Sequence, residues 1–99
     1  MDNERIAKIL MKVHADDLKD AEMLADYAED VKEAGDLAIS SALASRAKSR
    51  LNQMAESERS IESVLARIDT NGQPLDFKNL YIKHMNHMAD RLKNRLNEM

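Results

Sequence analysis

The chain has 99 residues with 43% hydrophobic and 33% charged content, which is the composition of one small foldable domain and not of a disordered tail. It contains no cysteine, so disulfide frames and thiolate chemistry are excluded. The formal charge of −3 is unevenly spread: residues 1–36 hold 11 acidic and five basic side chains, residues 37–99 seven acidic and ten basic. An acidic first third beside a basic remainder favours contacts within the chain or between copies over one large nucleic-acid surface. With no run of about 18 apolar residues no membrane span is expected. The charged, amphipathic start does not read as a signal peptide, and a bacterial or phage cytoplasm is the setting these absences suggest.

Only Gly35, Gly72 and Pro74 can punctuate the chain, so its helices must be long. The first is predicted over 3–33. Ile6, Ile9, Leu10, Val13, Ala21, Leu24, Ala28 and Val31 recur at helical spacing and define its expected buried stripe. "AGD" at 34–36 forms the first joint: Gly35 suits a left-handed helix end, and Asp36 caps the next helix. That second helix is predicted over 37–69, with Leu43, Ala47, Leu51, Met54, Ile61, Leu65 and Ile68 inward. "TNGQP" at 70–74 is a turn signal. A third helix is expected over 77–98, capped by Asp76, with Tyr81, Met85, Met88, Leu92 and Met99 on its stripe and Phe77 and Leu96 at the edges.

At about 1.5 Å per residue the first two helices each span roughly 45–50 Å, and so short a joint makes them an antiparallel hairpin. The expected fold is therefore all-α: a long hairpin and a shorter third helix in a single domain. Two long helices and one short one leave an apolar strip, for which a homodimer is the expected cover. Leu43, Leu51, Met54, Tyr81, Met85, Met88 and Leu92 are the candidate interface.

Polar residues on these apolar faces are the candidate functional groups, because a buried charge must be paired, ligated, neutralised or near solvent. Asp17 falls within the first stripe, Asp20 lies one turn on, and His14 sits at its edge. Ser40 and Glu58 interrupt the second stripe, and Arg50 borders it. An ion pair from Asp17 or Asp20 to Arg50 is the leading expectation. The alternatives are partial solvent exposure at a wide or dimeric groove, and a metal site in which Asp17, Asp20, Glu58, His84 and His87 offer carboxylate and imidazole ligands to iron, manganese or zinc. "HMNHMAD" at 84–90 sets His84 and His87 side by side at i, i+3, but no third strong ligand stands at a recognisable spacing. Met at such spacing commonly fills a core.

The basic groups of "RAKSR" at 46–50 and "DRLKNRLNE" at 90–98 are spread around their helices, which disfavours nucleic-acid binding. The outer acids Asp16, Glu22, Asp26, Glu29, Asp30 and Glu33 form a solvated face, or a docking surface for a basic partner. No nucleophile stands in an exposing turn and no phosphate loop occurs. Ser40, Ser41, Ser45 and Ser49 read as small residues that permit close helix contact.

The run "DDLKDAEMLADYAEDVKEAGDLAISSALASRAKSRLNQM", 16–54, resembles the two-helix half of small ferritin-like proteins in its acidic early turn, its "DA" and "GD" steps and its hairpin rhythm. The resemblance implies that Asp17 stands where that family places a glutamate ligand. It departs at "RLNQ", where Arg50 replaces the second helix's glutamate ligand and Gln53 its histidine. A cation in a ligand's place implies a lost metal and a salt bridge instead. The expected function is a non-enzymatic structural or interaction protein, self-associating, such as an accessory or regulatory protein of a phage or mobile element. The alternative is a metal-binding ferritin-like protein.

Overall fold

The computed structural model describes residues 2–68 and 76–99, with side chains in the last segment from Leu80 onward. Among these residues three helices run in order: α1, Asn3–Glu33; α2, Leu37–Leu65; and α3, Asp76–Asn97. No strand occurs among the described residues, and the all-α hairpin with a shorter third helix is the architecture observed. The molecule measures 57 × 22 × 14 Å, a rod set by the length of its hairpin.

The ends of α1 and the start of α2 come from local chemistry. Asp2 takes an extended backbone, and its carboxylate accepts hydrogen bonds from the Glu4 and Arg5 amides at 3.1 and 3.2 Å, satisfying donors that the first turn leaves open. At the other end Gly35 has φ 95°, with space around its Cα, so backbone conformation alone requires glycine there. Its amide bonds Lys32 O and the Asp36 amide bonds Val31 O, closing α1 with a left-handed cap. Asp36 then caps α2 by accepting from the Ile39 amide at 3.0 Å, so one short joint ends one helix and starts the next.

α2 stops at Leu65, sooner than the expected residue 69. Past it, Arg67 N bonds Val64 O and Ile68 N bonds Leu65 O, three-residue steps that tighten the chain out of α geometry. The "TNGQP" turn at 70–74 lies outside the described residues. α3 begins at Asp76, the residue expected to cap it.

The buried face of α1 is not the one that hydropathy selects. Its buried positions are Ala7, His14, Leu18, Ala21, Ala25 and Ala28. Of the expected stripe, Ala21 and Ala28 are buried and Ile6, Leu10, Leu24 and Val31 half-buried, while Ile9 and Val13 are 54% and 44% exposed. The helix is rotated by nearly a quarter turn about its axis from the expected orientation. The cause is close approach: alanine-lined α1 lies tight along α2, near enough for Ser40 Oγ to donate to the Ala28 carbonyl at 2.7 Å inside the seam. A face of Ile and Val would hold the helices apart.

α2 buries the residues expected of it, Ala47, Leu51, Met54, Ile61 and Leu65, with Leu43 and Ile68 half-buried. α3 lies over the groove with Ile82, Met85, Ala89, Leu92 and Leu96 inward. Of the seven candidate interface residues, Leu51, Met54, Met85 and Leu92 are therefore core within one chain. They are 2–6% exposed and cannot face a second copy without unfolding. Leu43 and Met88 are half-buried, and Tyr81 is exposed.

Candidate functional site

The interior is divided in two. One apolar cluster joins Leu18, Ala21, Ala25, Ala47, Leu51, Met54, Met85, Ala89, Leu92 and Leu96. A second, toward the open end of the hairpin, joins Ala7, Ile61, Val64, Leu65 and Ile82. Between them in sequence stand His14 on α1 and Ser57 on α2, and Asn86 on α3 adjoins Met85 at the near end of the first cluster. His14 has no exposed surface. Its Nδ1 lies 2.8 Å from Ser57 Oγ and its Nε2 3.0 Å from Asn86 Oδ1. Ser57 Oγ also lies 3.0 Å from the Met54 carbonyl, to which its hydroxyl can donate. Among the described residues no buried side-chain nitrogen or oxygen lacks a partner. A polar layer of this kind favours one alignment of three helices, because sliding any of them strands a buried donor or acceptor.

Serine, histidine and asparagine in contact also suggest nucleophilic catalysis, and the surroundings argue against that role. The imidazole is sealed from solvent, the serine sits on a helix with its hydroxyl beside its own Met54 carbonyl, and the helical amides nearby are committed to the backbone ladder.

Sequence reasoning placed His14 only at a stripe's edge and missed Ser57 and Asn86 altogether. The available signal was spacing: Ala7, His14, Ala21 and Ala28 recur at seven-residue intervals, the repeat of a packed helix seam. In "HMNHMAD" the residue that turns inward is the asparagine between the histidines. His84 and His87 are both exposed.

Asp17 is half-buried at the edge of the α1–α2 seam. Its carboxyl is pushed above the ordinary carboxylate range, first by loss of water. The Arg50 charge offsets part of this, Asp20 and Asp16 add repulsion, and His14 opposes it. The expected ion pair is not formed as a contact. Arg50 donates instead to Gln53 Oε1 at 3.1 Å, one turn along its own helix. Asp20 is exposed, and Glu58 is half-buried. The five residues of the metal alternative, Asp17, Asp20, Glu58, His84 and His87, are not brought together. Among the described residues no three His, Asp or Glu side chains form a group that could hold a metal ion.

The ion pairs observed lie elsewhere. Arg95 on α3 reaches α1, with Nε 2.6 Å from Glu29 Oε1 and Nη2 2.8 Å from Asp26 Oδ1. The Arg95 hydrogen bond holds the Glu29 carboxyl below its ordinary range, and both acids strengthen the arginine's hold on its proton. Lys32 Nζ donates to the Met99 carbonyl at 3.3 Å, tying the last residue of α3's trailing turn to α1. The acidic outer face of α1 is thus partly used within the chain.

Large apolar side chains remain outside. Ile9, Val13, Met23 and Tyr27 are exposed on α1, Leu37 and Ile39 at the start of α2, and Leu80 and Tyr81 on α3. Met11, Ala15 and Tyr81, bordered by Lys8 and Lys12, line a shallow, mostly apolar groove between α1 and α3. No helix among the described residues is long and apolar enough to cross a membrane. The chain matches no protein-family model, no curated protein and no solved structure.

Proposed function

We propose that this chain is a helical interaction protein that acts by self-association and protein contact rather than by catalysis. One observation carries the reading: a folded bundle with its inner polar groups satisfied still presents a row of large apolar side chains on the outside of α1. Single exposed apolar residues are ordinary, but a row along one helix is the usual mark of a contact surface. The polar groove lined by Lys32, Ser40, Ser41, Ser45, Lys48 and Asn97 gathers no carboxylate or imidazole side chain beside its serines.

Native mass spectrometry of the untagged protein, with and without added iron, manganese and zinc, tests this reading. The expected result is a metal-free dimer. A monomer at all concentrations, or a stoichiometric metal lost in Asp17→Ala, would overturn it.

A further inference from the structure

The exposed row on α1 has an internal symmetry. Ile9, Val13, Asp16, Asp20, Met23 and Tyr27 alternate by four and three residues, and all six are exposed. On a wheel of about 100° per residue they form one narrow stripe nearly opposite the buried one. The stripe is also palindromic about residue 18. Ile9 and Tyr27 lie equally far from that point, as do Val13 and Met23, and Asp16 and Asp20. Pattern therefore matches pattern when one α1 is laid against another running the opposite way, each apolar pair meeting an apolar pair across a two-fold axis.

The charges beside the stripe select the same arrangement. Arg5 and Lys12 flank it in the first half of α1, and Asp26 and Glu33 flank the same side in the second half. Antiparallel pairing in this register sets Arg5 against Glu33 and Lys12 against Asp26 of the other copy, twice each. Parallel pairing would set this flank against the opposite one, which carries Leu10, Asp17, Leu24 and Val31, so Arg5 would lose its charged partner, and it would also align the helix dipoles unfavourably. Asp26 already meets Arg95, but its side chain is 64% exposed and can take a second cation.

We infer that the outer face of α1 is an antiparallel homodimer seam with its two-fold axis at residue 18, and that its occupant is a second copy of this chain. The inference rests on the self-association proposed above and names its surface. The seam leaves the α1–α2–α3 core intact, so two folded bundles join back to back. Asp16 and Asp20 from both copies meet near the axis, and this repulsion keeps the association weaker than its apolar pairs alone would make it.

The absence of native cysteine makes the test clean. Lys19 flanks the stripe beside the axis, so Lys19→Cys treated with a short bismaleimide should yield covalent dimers. Ser60→Cys, exposed on α2, should not. By native mass spectrometry and light scattering, Val13→Glu should weaken the dimer about ten-fold or more, with helicity checked by circular dichroism. Arg5→Glu alone should weaken it, and Arg5→Glu with Glu33→Arg should restore it. Asp16→Asn with Asp20→Asn should tighten it. A wild-type monomer would overturn both this seam and the self-association reading. A dimer indifferent to Val13→Glu and unlinked at position 19 would overturn the seam alone. A dimer sensitive to Val13→Glu but neither linked at 19 nor rescued by the charge exchange would overturn the antiparallel register.

Discussion

The inner and outer faces of α1 carry the same spacing and opposite chemistry. Inside, Ala7, Ala21, Ala25 and Ala28 flank one histidine and one leucine. Outside stand Ile9, Val13, Met23 and Tyr27, which are larger, with Asp16 and Asp20 between them. The helix buries its smaller residues because alanine lets two backbones close up, and a close seam gains packing contacts and the Ser40–Ala28 hydrogen bond together. Hydrophobic content per residue is thus a poor guide to which face turns inward when one face is built for closeness and the other for reach.

Substitutions separate the two faces most sharply. Leu51→Ala, in the core against α1, should cost about 2–5 kcal/mol in chemical denaturation. Ile9→Ala at dilute protein concentration should stay within about 0.5 kcal/mol. Equal losses at the two sites would mean that the outer row is also part of the folding core. His14→Ala should come next, at about 2–4 kcal/mol, because it opens a cavity and strips Ser57 and Asn86 of a buried partner. A cost well under 1 kcal/mol would show that the polar layer does not hold the three helices in register.

Asp17 tests the seam's edge, and there the sign of the effect decides. With its folded pKa raised, the ionised carboxylate opposes folding, and this penalty is relieved as pH falls through the folded value. Asp17→Asn should therefore give a small rise in Tm at pH 7 that disappears in acid. A fall in Tm would restore the ion pair with Arg50 that the sequence suggests. The smallest effect belongs to the α3 clasp. Glu29 has a lowered pKa, so its contribution is present above the ordinary carboxylate range and is lost as pH falls through the folded value. Glu29→Gln should lower Tm slightly at pH 7 and low salt and leave it unchanged in acid, since an exposed pair is screened by water and ions. An equal loss in acid would assign the effect to packing of the side chain.

Much of the architecture was legible in the residues themselves. Scarce glycine and proline imposed long helices. Gly35 and Asp36 set the first joint, because a left-handed backbone and an N-cap are local requirements met by single residues. The stripe of α2 was legible as well, since Leu51, Met54 and Ile61 stand out from a mostly polar surrounding sequence. The rotation of α1 was not. Alanine is weakly marked in any hydropathy pattern, and its value here comes from how near a partner backbone can approach. The site was equally hidden. His84 and His87 were conspicuous as a pair, yet Asn86 between them turns inward and meets a histidine 72 residues away. The pairing of Asp17 with Arg50 was suggested by their faces but failed as a contact, because Gln53 offers the guanidinium an acceptor one turn along its own helix.

Helix existence, the length of α1 and the first hairpin joint were thus determined by the sequence alone, as each depends on residues within a turn or two of one another. Which face of α1 is buried, which polar residues share the central layer, and which apolar residues stay exposed were decided only by tertiary packing. Those outcomes depend on distances between helices, set by small side chains and long-range hydrogen-bond partners whose seven-residue recurrence carries little hydropathy contrast.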